Sequence, residues 1–371
     1  MTVFQSAEYD ELLGFPLPRR RGSFVTSNSY FMSSKRPYGR PAVLLAFTLF
    51  LPVSALAQST GTRAAGMGEA FVAVADDATS IYWNPAGMAT GSYLSFVLDY
   101  GQNRAEPPSP DGTPGGSEGS AHFIGFTIPP FGLGYYRRSM AATTHLTPDG
   151  MAGTSREDGR QSVQALTTSN IGVSLAQSIN QYIVVAGTVK FVNGEVTSGV
   201  STADDPFDAL DERDSFAHRS TSRGDVDAGA MVAVEQWRLG VVARNLTTPE
   251  FDRPDVDGGT VELQREVRVG AAWGSGWPGI SRLVLSTDVD LTEQASMTGK
   301  RRDVAAGVET WWLGQRLGLR GGLRGSTSGE ARPVIAGGVS AAIKSGVFVE
   351  AHLAQGDQDE RSWSVGARLM F

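Results

Sequence analysis

Hydrophobic and polar residues alternate along most of the chain after residue 90. In residues 316–324 leucine alternates with arginine and glycine, and residues 237–244 repeat the pattern with tryptophan, leucine, valine and arginine. Successive side chains of a β-strand point to opposite faces, so each segment has an apolar face and a polar or charged face. No segment beyond the N-terminal region approaches the roughly 18 consecutive apolar residues of a spanning helix. The pattern therefore predicts an all-β chain.

The alternating segments number fourteen, and the connections between them alternate in length. Connections after odd segments are long and polar, whereas those after even segments are mostly two or three residues. An even number of strands joined in this way is typical of a transmembrane antiparallel β-barrel. We therefore expect a barrel of about fourteen strands, and twelve to sixteen would fit the same pattern. The segments are 92–100, 119–128, 131–140, 162–178, 182–193, 225–234, 237–247, 261–274, 281–291, 301–312, 316–324, 333–343, 346–355 and 360–371.

The two ends of the chain carry targeting signals. Residues 32–57 resemble a secretory signal, with a basic start, an apolar stretch of about a dozen residues and an Ala-Leu-Ala cleavage site. Residues 1–31 precede the methionine of that signal, and we predict that they are a wrongly assigned upstream extension and that translation begins at Met32. At the other end, Trp363 and Phe371 lie on one apolar face of the final segment. Such a C-terminal strand resembles the signal that the outer-membrane assembly machinery recognises.

Composition excludes several other classes. The chain has 45 glycines, no cysteine and a formal net charge of -7. A disulfide-stabilised scaffold needs cysteines, and nucleic-acid binding needs a basic surface. We therefore expect no nucleic-acid partner. Because the predicted barrel is a transmembrane one, we expect outer-membrane lipid to surround it.

A distinctive segment lies between the signal and the first strand. Residues 61–88 read GTRAAGMGEAFVAVADDATSIYWNPAGM, a run of small residues that leads to paired aspartates and an Asn-Pro-Ala-Gly turn. This segment closely resembles the N-terminal signature of the PorV/PorQ-like and FadL-like (fatty-acid transporter) superfamily of outer-membrane barrels. Weaker matches in later strands, at 241–246, 288–291, 306–312 and 319–322, favour the PorV/PorQ branch.

The resemblance implies that residues 58–90 form a plug, or hatch, inside a barrel built from residues 91–371. Glycine permits close backbone packing, and Asn-Pro favours a turn, so the segment is suited to folding compactly inside a pore. The residues that carry the plug motif are Gly66, Gly68, Phe71, Asp76, Asp77, Asn84, Pro85 and Gly87.

The two aspartates of the motif have two interpretations. They either pair with inward arginines such as Arg320 or Arg324, or cap a helix that begins at Ala78.

The charged faces of the strands are predicted to line the lumen. Because the charges are of both signs, a self-paired network is favoured over a selectivity ring. Phe131, Tyr135 and Phe348 are possible apolar residues of the lumen. The predicted lumen charges are Arg244, Asp288, Asp290, Glu309, Arg316, Arg320, Arg324 and Glu350.

Candidate chemistry is sparse. The four histidines are scattered, with no spacing typical of a zinc site. The nearest approach to a Ser-His-acid arrangement is His352 with Glu350, and no serine lies in a nucleophile-elbow motif. The acidic stretch 203–214 does not match a calcium loop and is predicted to be a solvated surface loop. We expect no enzymatic activity, metal or cofactor.

Two functions remain open. In the FadL-like one, the barrel passes hydrophobic small molecules across the outer membrane without energy input. In the PorV-like one, the barrel binds secreted proteins or secretion subunits as part of a secretion apparatus. Because one fold hosts several activities, assigning either one from the resemblance is an analogy. Passive transport is the preferred interpretation, and the secretion role is the alternative.

Overall fold

The computed structural model describes residues 60–107, 115–145, 160–255, 257–277, 280–296 and 299–371. The predicted extension, residues 1–31, and the predicted signal, residues 32–57, lie outside the described residues. Within the described part of the chain, no helix is long and apolar enough to cross a membrane.

Strands dominate the described residues. They are β1 (Ser95–Ala105), β2 (Ser117–Ile128), β3 (Phe131–His145), β4 (Gln161–Ser178), β5 (Ile183–Ser201), β6 (Ala217–Val234), β7 (Trp237–Arg244), β8 (Glu250–Asp252), β9 (Thr260–Glu262), β10 (Glu266–Trp277), β11 (Ile280–Asp290), β12 (Gln294–Ser296), β13 (Gly299–Arg301), β14 (Asp303–Trp312), β15 (Leu317–Ser326), β16 (Val334–Lys344), β17 (Val347–Gly356) and β18 (Arg361–Met370).

Fourteen of these strands close into an antiparallel barrel, which confirms the predicted fold class. The pairs β8–β9 and β12–β13 form separate hairpins in two of the long loops. The barrel closes where β18 pairs with β1, from Ser95 opposite Met370 to Arg104 opposite Arg361. Closure leaves no unpaired edge, which a barrel in lipid requires.

One side of the barrel is taller than the rest. Strands β4, β5 and β6 contain 18, 19 and 18 residues, whereas β14 to β18 contain 10 or 11. The extra residues of β4, β5 and β6 lie at the end with the long loops. The wall that these three strands form is therefore taller there than the opposite wall, and we call it the tall wall. In outer-membrane barrels the end with the long loops is extracellular and the end with the short turns is periplasmic, and we name the two ends of this barrel accordingly.

The outer surface carries a band of apolar side chains. Leu133, Val173, Val189 and Leu239 each expose more than half of their surface, although they lie within strands of the closed barrel. In water such a band would be an aggregation surface, whereas in a membrane it faces lipid.

The chain before β1 lies inside the barrel, and we call residues 60–90 the plug segment. It contains α1 (Thr62–Gly66), α2 (Ser80–Trp83) and a 3₁₀ turn (Pro85–Thr90). Residues 60–88 are all buried, including polar ones. Two further short helices, α3 (Pro206–Asp211) and a 3₁₀ turn (Glu212–Ser215), lie in the loop between β5 and β6.

Candidate functional site

The plug segment lies against the barrel wall at inward-facing glycines. A Cβ atom on Gly307 would lie 2.5 Å from the carbonyl oxygen of Met67, and one on Gly240 would lie 2.8 Å from that of Val72. A Cβ on Gly322 would overlap the backbone between Met67 and Gly68. No side chain fits at these positions, so glycine allows the plug backbone to touch the wall. The plug backbone also approaches Gly125 and Gly338, and plug side chains approach Gly132, Gly134, Gly229 and Gly366.

Asn84 of the plug motif connects three parts of the chain. Its side-chain oxygen accepts a hydrogen bond from the backbone N–H of Ala86 at 3.1 Å, which caps the 3₁₀ turn that Pro85 begins. Its amide nitrogen donates to the carbonyl oxygens of Val72 and Ala230, each at 3.1 Å. The turn therefore holds the plug to itself and to β6.

On the periplasmic side of these glycines, Arg63 is the centre of a buried charge network. Its guanidinium binds both carboxylate oxygens of Glu309, at 2.7 and 2.8 Å, and also binds Asp76 and Asp77. Glu309 in turn accepts a hydrogen bond from Arg320 at 2.8 Å. Because buried charges are stable only when they are paired, the network fixes the plug to β14 and β15.

The network continues around the wall to the seam of the barrel. Arg320 donates to Glu350 at 3.1 Å, and Arg368 donates to the same carboxylate at 2.8 Å. These residues lie on β15, β17 and β18. An alternating chain of positive and negative side chains therefore runs from the plug to the last strand.

Asp76 is surrounded by arginines. Arg282 donates to its carboxylate at 2.8 Å, and Arg238 lies 3.7 Å from it, in addition to Arg63. Burial alone would raise the pKa of Asp76, but the charges of Arg63, Arg282 and Arg238 hold that pKa well below its usual value. The carboxyl group is therefore ionised at physiological pH.

A second charge network lies on the extracellular side of the glycines. Arg244 binds Glu266, and Arg268 donates to Asp290 at 3.0 Å. Further around the wall, Arg324 binds Glu69 of the plug and donates to Glu360 at 2.8 Å. The plug backbone thus lies between two charge networks, and each network binds it.

Asp288 binds the plug backbone directly. One of its carboxylate oxygens accepts hydrogen bonds from the N–H groups of Phe71 and Val72, both at 2.8 Å. Ser286, on the same face of β11, donates to the carbonyl oxygen of Ala70 at 2.7 Å. These bonds satisfy backbone groups that lie in neither a helix nor a strand.

Seven of the eight charges expected in the lumen are buried there, and Arg316 is not. Arg316 is exposed, because it lies in the turn between β14 and β15 rather than in a strand. Phe131 and Tyr135 also differ from expectation, since they face outward with 62 % and 36 % of their surface exposed. Phe348 does face inward and packs against Trp311.

Asp76 and Asp77 do not bind Arg320 or Arg324, the arginines that were expected to pair with them. Arg320 and Arg324 bind glutamates instead, while Asp76 and Asp77 share Arg63, a neighbour from their own segment. Asp77 also accepts a hydrogen bond from the N–H of Thr79 at 2.9 Å, just before α2 begins at Ser80. The pairing with arginine therefore occurs, but with other arginines than those expected. The predicted capping of a helix at Ala78 does not occur, because α2 begins at Ser80 and no side chain caps it.

His352 is not part of a Ser-His-acid arrangement with Glu350. Its two ring nitrogens lie 2.8 Å from the Ser364 hydroxyl and 3.2 Å from the Ser362 hydroxyl. Glu350 is bound by Arg320 and Arg368 instead.

An apolar cluster lies inside the extracellular end of the tall wall, and we call it the vestibule cluster. It consists of inward side chains of β4 and β5 together with side chains of the loop that follows β7. Phe251 of β8 and Val192 of β5 are completely buried in it. The vestibule cluster is separate from the larger apolar cluster that the plug segment forms with Phe123, Tyr136 and Val242 of the wall, and part of it remains accessible. Its members are Leu166, Val192, Val196, Phe251, Val261 and Leu263.

The predicted surface loop 203–214 folds against the outside of the same wall. Leu210 is fully buried against Val163 of β4, and Arg104 of β1 lies over the ring of Phe207 at 3.5 Å. Arg213 binds Glu118 of β2. The loop is therefore packed against the barrel, while its acidic side chains, such as Asp208 and Asp211, remain at the surface.

Comparison of the structure with solved ones finds FadL-type barrels. A Pseudomonas aeruginosa FadL homologue superposes with a TM-score of 0.54 and 12 % identity, over 86 % of this chain and 100 % of its own. The monoaromatic hydrocarbon channel CymD superposes with a TM-score of 0.55 and 13 % identity, over 84 % of this chain and 98 % of its own. The Ralstonia pickettii toluene transporter TbuX superposes with a TM-score of 0.53 and 11 % identity, also over 84 % of this chain and 98 % of its own.

The chain has a FadL-like barrel fold. Sequence comparison adds one match, to the family model described as "F plasmid transfer operon, TraF, protein", over residues 109–290. No curated protein sequence gives a significant match. The FadL part of the expected resemblance is thus confirmed for the fold, whereas no comparison tests the PorV part.

Proposed function

We propose that the protein is an outer-membrane channel for the passive passage of small hydrophobic molecules. Three observations support the proposal: a closed barrel with an apolar outer band, a fold similar to that of hydrocarbon channels, and an apolar surface in its extracellular mouth. The vestibule cluster is the observation that carries it, because a hydrophobic solute needs apolar side chains to leave water, and Leu166, Val261 and Leu263 of the cluster are only partly buried.

Passage through the barrel requires movement of the plug segment. The plug backbone touches the wall at Gly240, Gly307 and Gly322, and both charge networks bind it. A solute captured at the vestibule cluster would therefore move inward only when part of the plug shifts. The solute's own gradient supplies the driving force.

The location and assembly of the protein belong to the same proposal. We assign residues 32–57 to a cleaved signal peptide, residues 58–90 to the plug and residues 91–371 to the barrel. Trp363 and Phe371, on the outward side of the final strand, are assigned to recognition by the outer-membrane assembly machinery, and outer-membrane lipid to the apolar band.

The test is uptake by intact Gram-negative cells that lack their own hydrophobic channel. Cells that produce the protein should take up labelled toluene or oleate several-fold faster than cells that produce an unrelated barrel at the same level. Equal uptake of both compounds, with the protein folded in the outer membrane, would contradict transport.

A second candidate is a protein-binding component of a secretion or transfer apparatus. The family-model match to a transfer-operon protein over residues 109–290 favours it, as does the tightly bound plug. In that case, deletion of the gene in its native host should reduce protein export or DNA transfer without changing hydrocarbon uptake. Unchanged export and transfer would argue against this role.

A further inference from the structure

The outer surface of the barrel changes from apolar to polar between two neighbouring rows of paired residues on β1 to β4. In the last apolar row, every side chain faces outward with more than a third of its surface exposed. That row consists of Leu98, Ile124, Tyr135 and Ile171. The next outward row toward the extracellular end consists of Tyr100, His122, Arg137 and Ser169. The edge of the lipid therefore lies at this second row, which we call the boundary row.

Aromatic rings mark the same boundary at the seam of the barrel. The ring of Tyr100 lies edge-on to that of Trp363 of β18, with the centroids 5.6 Å apart, and 4.7 Å from the ring of His122. Trp363 and His122 are exposed on the outer surface. Tyrosine and tryptophan are enriched where a membrane protein meets the headgroups of the lipid. The rings therefore support the position of the boundary row.

A single polar row separates the boundary row from the loop between β5 and β6. We call it the polar ledge, and it consists of Gln102, Ser120, Ser139 and Thr167. The loop lies across the next row, where the Phe207 ring covers Arg104 and Leu210 packs near Ala141. The polar ledge thus has lipid on one side and a folded loop on the other.

Arginines lie on both sides of the polar ledge. Arg137 is in the boundary row, whereas Arg104 of β1 and Arg361 of β18 lie directly opposite each other on the far side of the ledge. Like charges in such a cross-strand pair repel each other, so the pair is stabilised by an anion that binds both. Among the described residues, no carboxylate binds Arg104 or Arg137.

The acidic side chains nearby do not offset these charges. Glu118 of β2 is bound by Arg213 of the loop, and Asp359 lies 3.3 Å from Arg361. Glu106 is exposed but follows the end of β1, farther from the lipid. The outer surface at the seam therefore has an excess of positive charge next to the lipid edge.

The two levels of arginine are too far apart for one phosphate. Arg104 lies four residues beyond Tyr100 of the boundary row, a distance of roughly 13 Å along the strand. Arginine binds phosphate with paired N–H groups. The single phosphate of a glycerophospholipid, next to its acyl chains, reaches only the level of Arg137. A sugar headgroup that carries two phosphates reaches both levels.

We propose that this surface binds a phosphorylated glycolipid of the outer leaflet. The acyl chains lie on the last apolar row, the sugars on the polar ledge, and the phosphates at Arg137 and at the pair of Arg104 and Arg361. The headgroup then connects β1 with β18, the two strands that close the barrel. This inference rests on the outer-membrane location given with the proposed function, but not on transport, since no solute passes along this surface.

Lipid binding to the purified protein tests the surface. In detergent micelles, native mass spectrometry should show that lipid A with two phosphates binds at least about tenfold more tightly than phosphatidylglycerol, an anionic lipid with one phosphate. Lipid A with one phosphate should bind with intermediate affinity. Equal affinity for lipid A and phosphatidylglycerol would overturn the proposal, because negative charge alone would then explain the binding.

Arginine variants locate the binding site. Arg104→Gln/Arg361→Gln and Arg137→Gln should each weaken the binding of lipid A at least about tenfold. The matched control is Arg223→Gln, because Arg223 of β6 is also an exposed arginine near the boundary row but lies on the inward face, with Asp225. This control should bind lipid A like the unmodified protein. Losses no greater than that of the control would refute the site.

A second control separates phosphate binding from displacement of the loop. Phe207→Ala removes the ring that covers Arg104 but keeps all the arginines, so it should bind lipid A as the unmodified protein does. If Phe207→Ala weakened binding as much as the double variant, the effect would belong to the loop and the phosphate site would be wrong. Heat-modifiable mobility shows that each variant is a folded barrel.

The outcome is distinguishable from that of the uptake assay. A protein that passes no hydrocarbon but prefers lipid A through these arginines supports the surface and contradicts the channel. A protein that passes hydrocarbon without any preference for lipid A does the reverse.

Discussion

Glu309 has no exposed surface and binds two arginines from different parts of the chain, Arg63 of the plug and Arg320 of β15. Removing one member of a buried ion pair leaves the others unpaired, which costs more than the pair contributed. The residues of this network are therefore mutually dependent.

Glu309→Gln should lower the free energy of unfolding by about 3 kcal/mol, because two buried guanidinium groups lose their shared counter-charge. The midpoint of urea unfolding in detergent micelles measures this. Glu330→Gln is the control, since Glu330 forms an exposed pair with Arg332 at 3.3 Å, and such pairs contribute at most about 1 kcal/mol. Similar midpoints for the two variants would contradict the role given to Glu309.

Gly322 and Gly321 offer a second comparison at adjacent positions. Gly322→Ala should push the plug from the wall, whereas Gly321→Ala should have little effect, because a Cβ there would meet only the side chain of Val308, at 3.7 Å. Overpacking of this kind costs roughly 1 to 3 kcal/mol.

Trypsin cleavage after Arg63, identified by mass spectrometry, reports the displacement, since Arg63 is 2 % exposed in the intact plug. Faster cleavage in Gly321→Ala than in Gly322→Ala would be the opposite of what the geometry requires.

The direction of the charged side chains in the strands was predictable, whereas that of Phe131 and Tyr135 in β3 was predicted wrongly. Asp288, Asp290 and Glu350 lie on the inward face because alternation with period two fixes it. Arg316 was misassigned because alternation does not reveal where a strand ends. The partners of Asp76 depend on how the plug folds, which no local pattern encodes.

At the scale of elements, α3 and the 3₁₀ turn after it pack against the barrel wall. The acidic composition of residues 203–214 had predicted a solvated loop there instead. The polar residues form the outer surface, and only Ala209 and Leu210 are buried. With two buried residues, periodicity is too weak a signal to predict a helix. The strands, by contrast, have many alternating positions each, so their number and order were predictable.

Leu210→Ala should detach this loop from the barrel wall, because truncation of a fully buried leucine costs about 2 kcal/mol or more. On intact cells, trypsin should then cleave after Arg213 several-fold faster. Asp208→Ala, on the exposed side of α3, is the control and should leave the rate unchanged. Comparable cleavage of both variants would show that Leu210 does not hold the loop.

At the scale of the whole molecule, the plug and the barrel seam are joined. The N–H of Thr62 donates to Asp99 of β1 at 2.6 Å, beside Gly366 of β18, where the first and last strands meet. The plug therefore reaches its final contacts only when the barrel has closed. The sequence predicted closure of the last strand against the first, but not this contact, since it depends on the register between two strands far apart in the chain.

Phe371 contributes to closure in two ways that can be separated. Its N–H donates to the carbonyl of Leu94 at 3.0 Å, its own carbonyl accepts from Leu94 at 2.9 Å, and its ring is 65 % exposed on the outer surface. Deletion of Phe371 removes both the backbone bonds and the ring, whereas Phe371→Ala removes only the ring.

If assembly requires the aromatic ring, both variants should reduce the amount of heat-modifiable barrel in the outer membrane several-fold. If assembly requires only the backbone hydrogen bonds between Phe371 and Leu94, Phe371→Ala should insert normally and the deletion variant should not. Normal insertion of the deletion variant would mean that neither the ring nor the last backbone pair is needed, and that β18 seals the barrel through the pairs from Met370 to Arg361 alone.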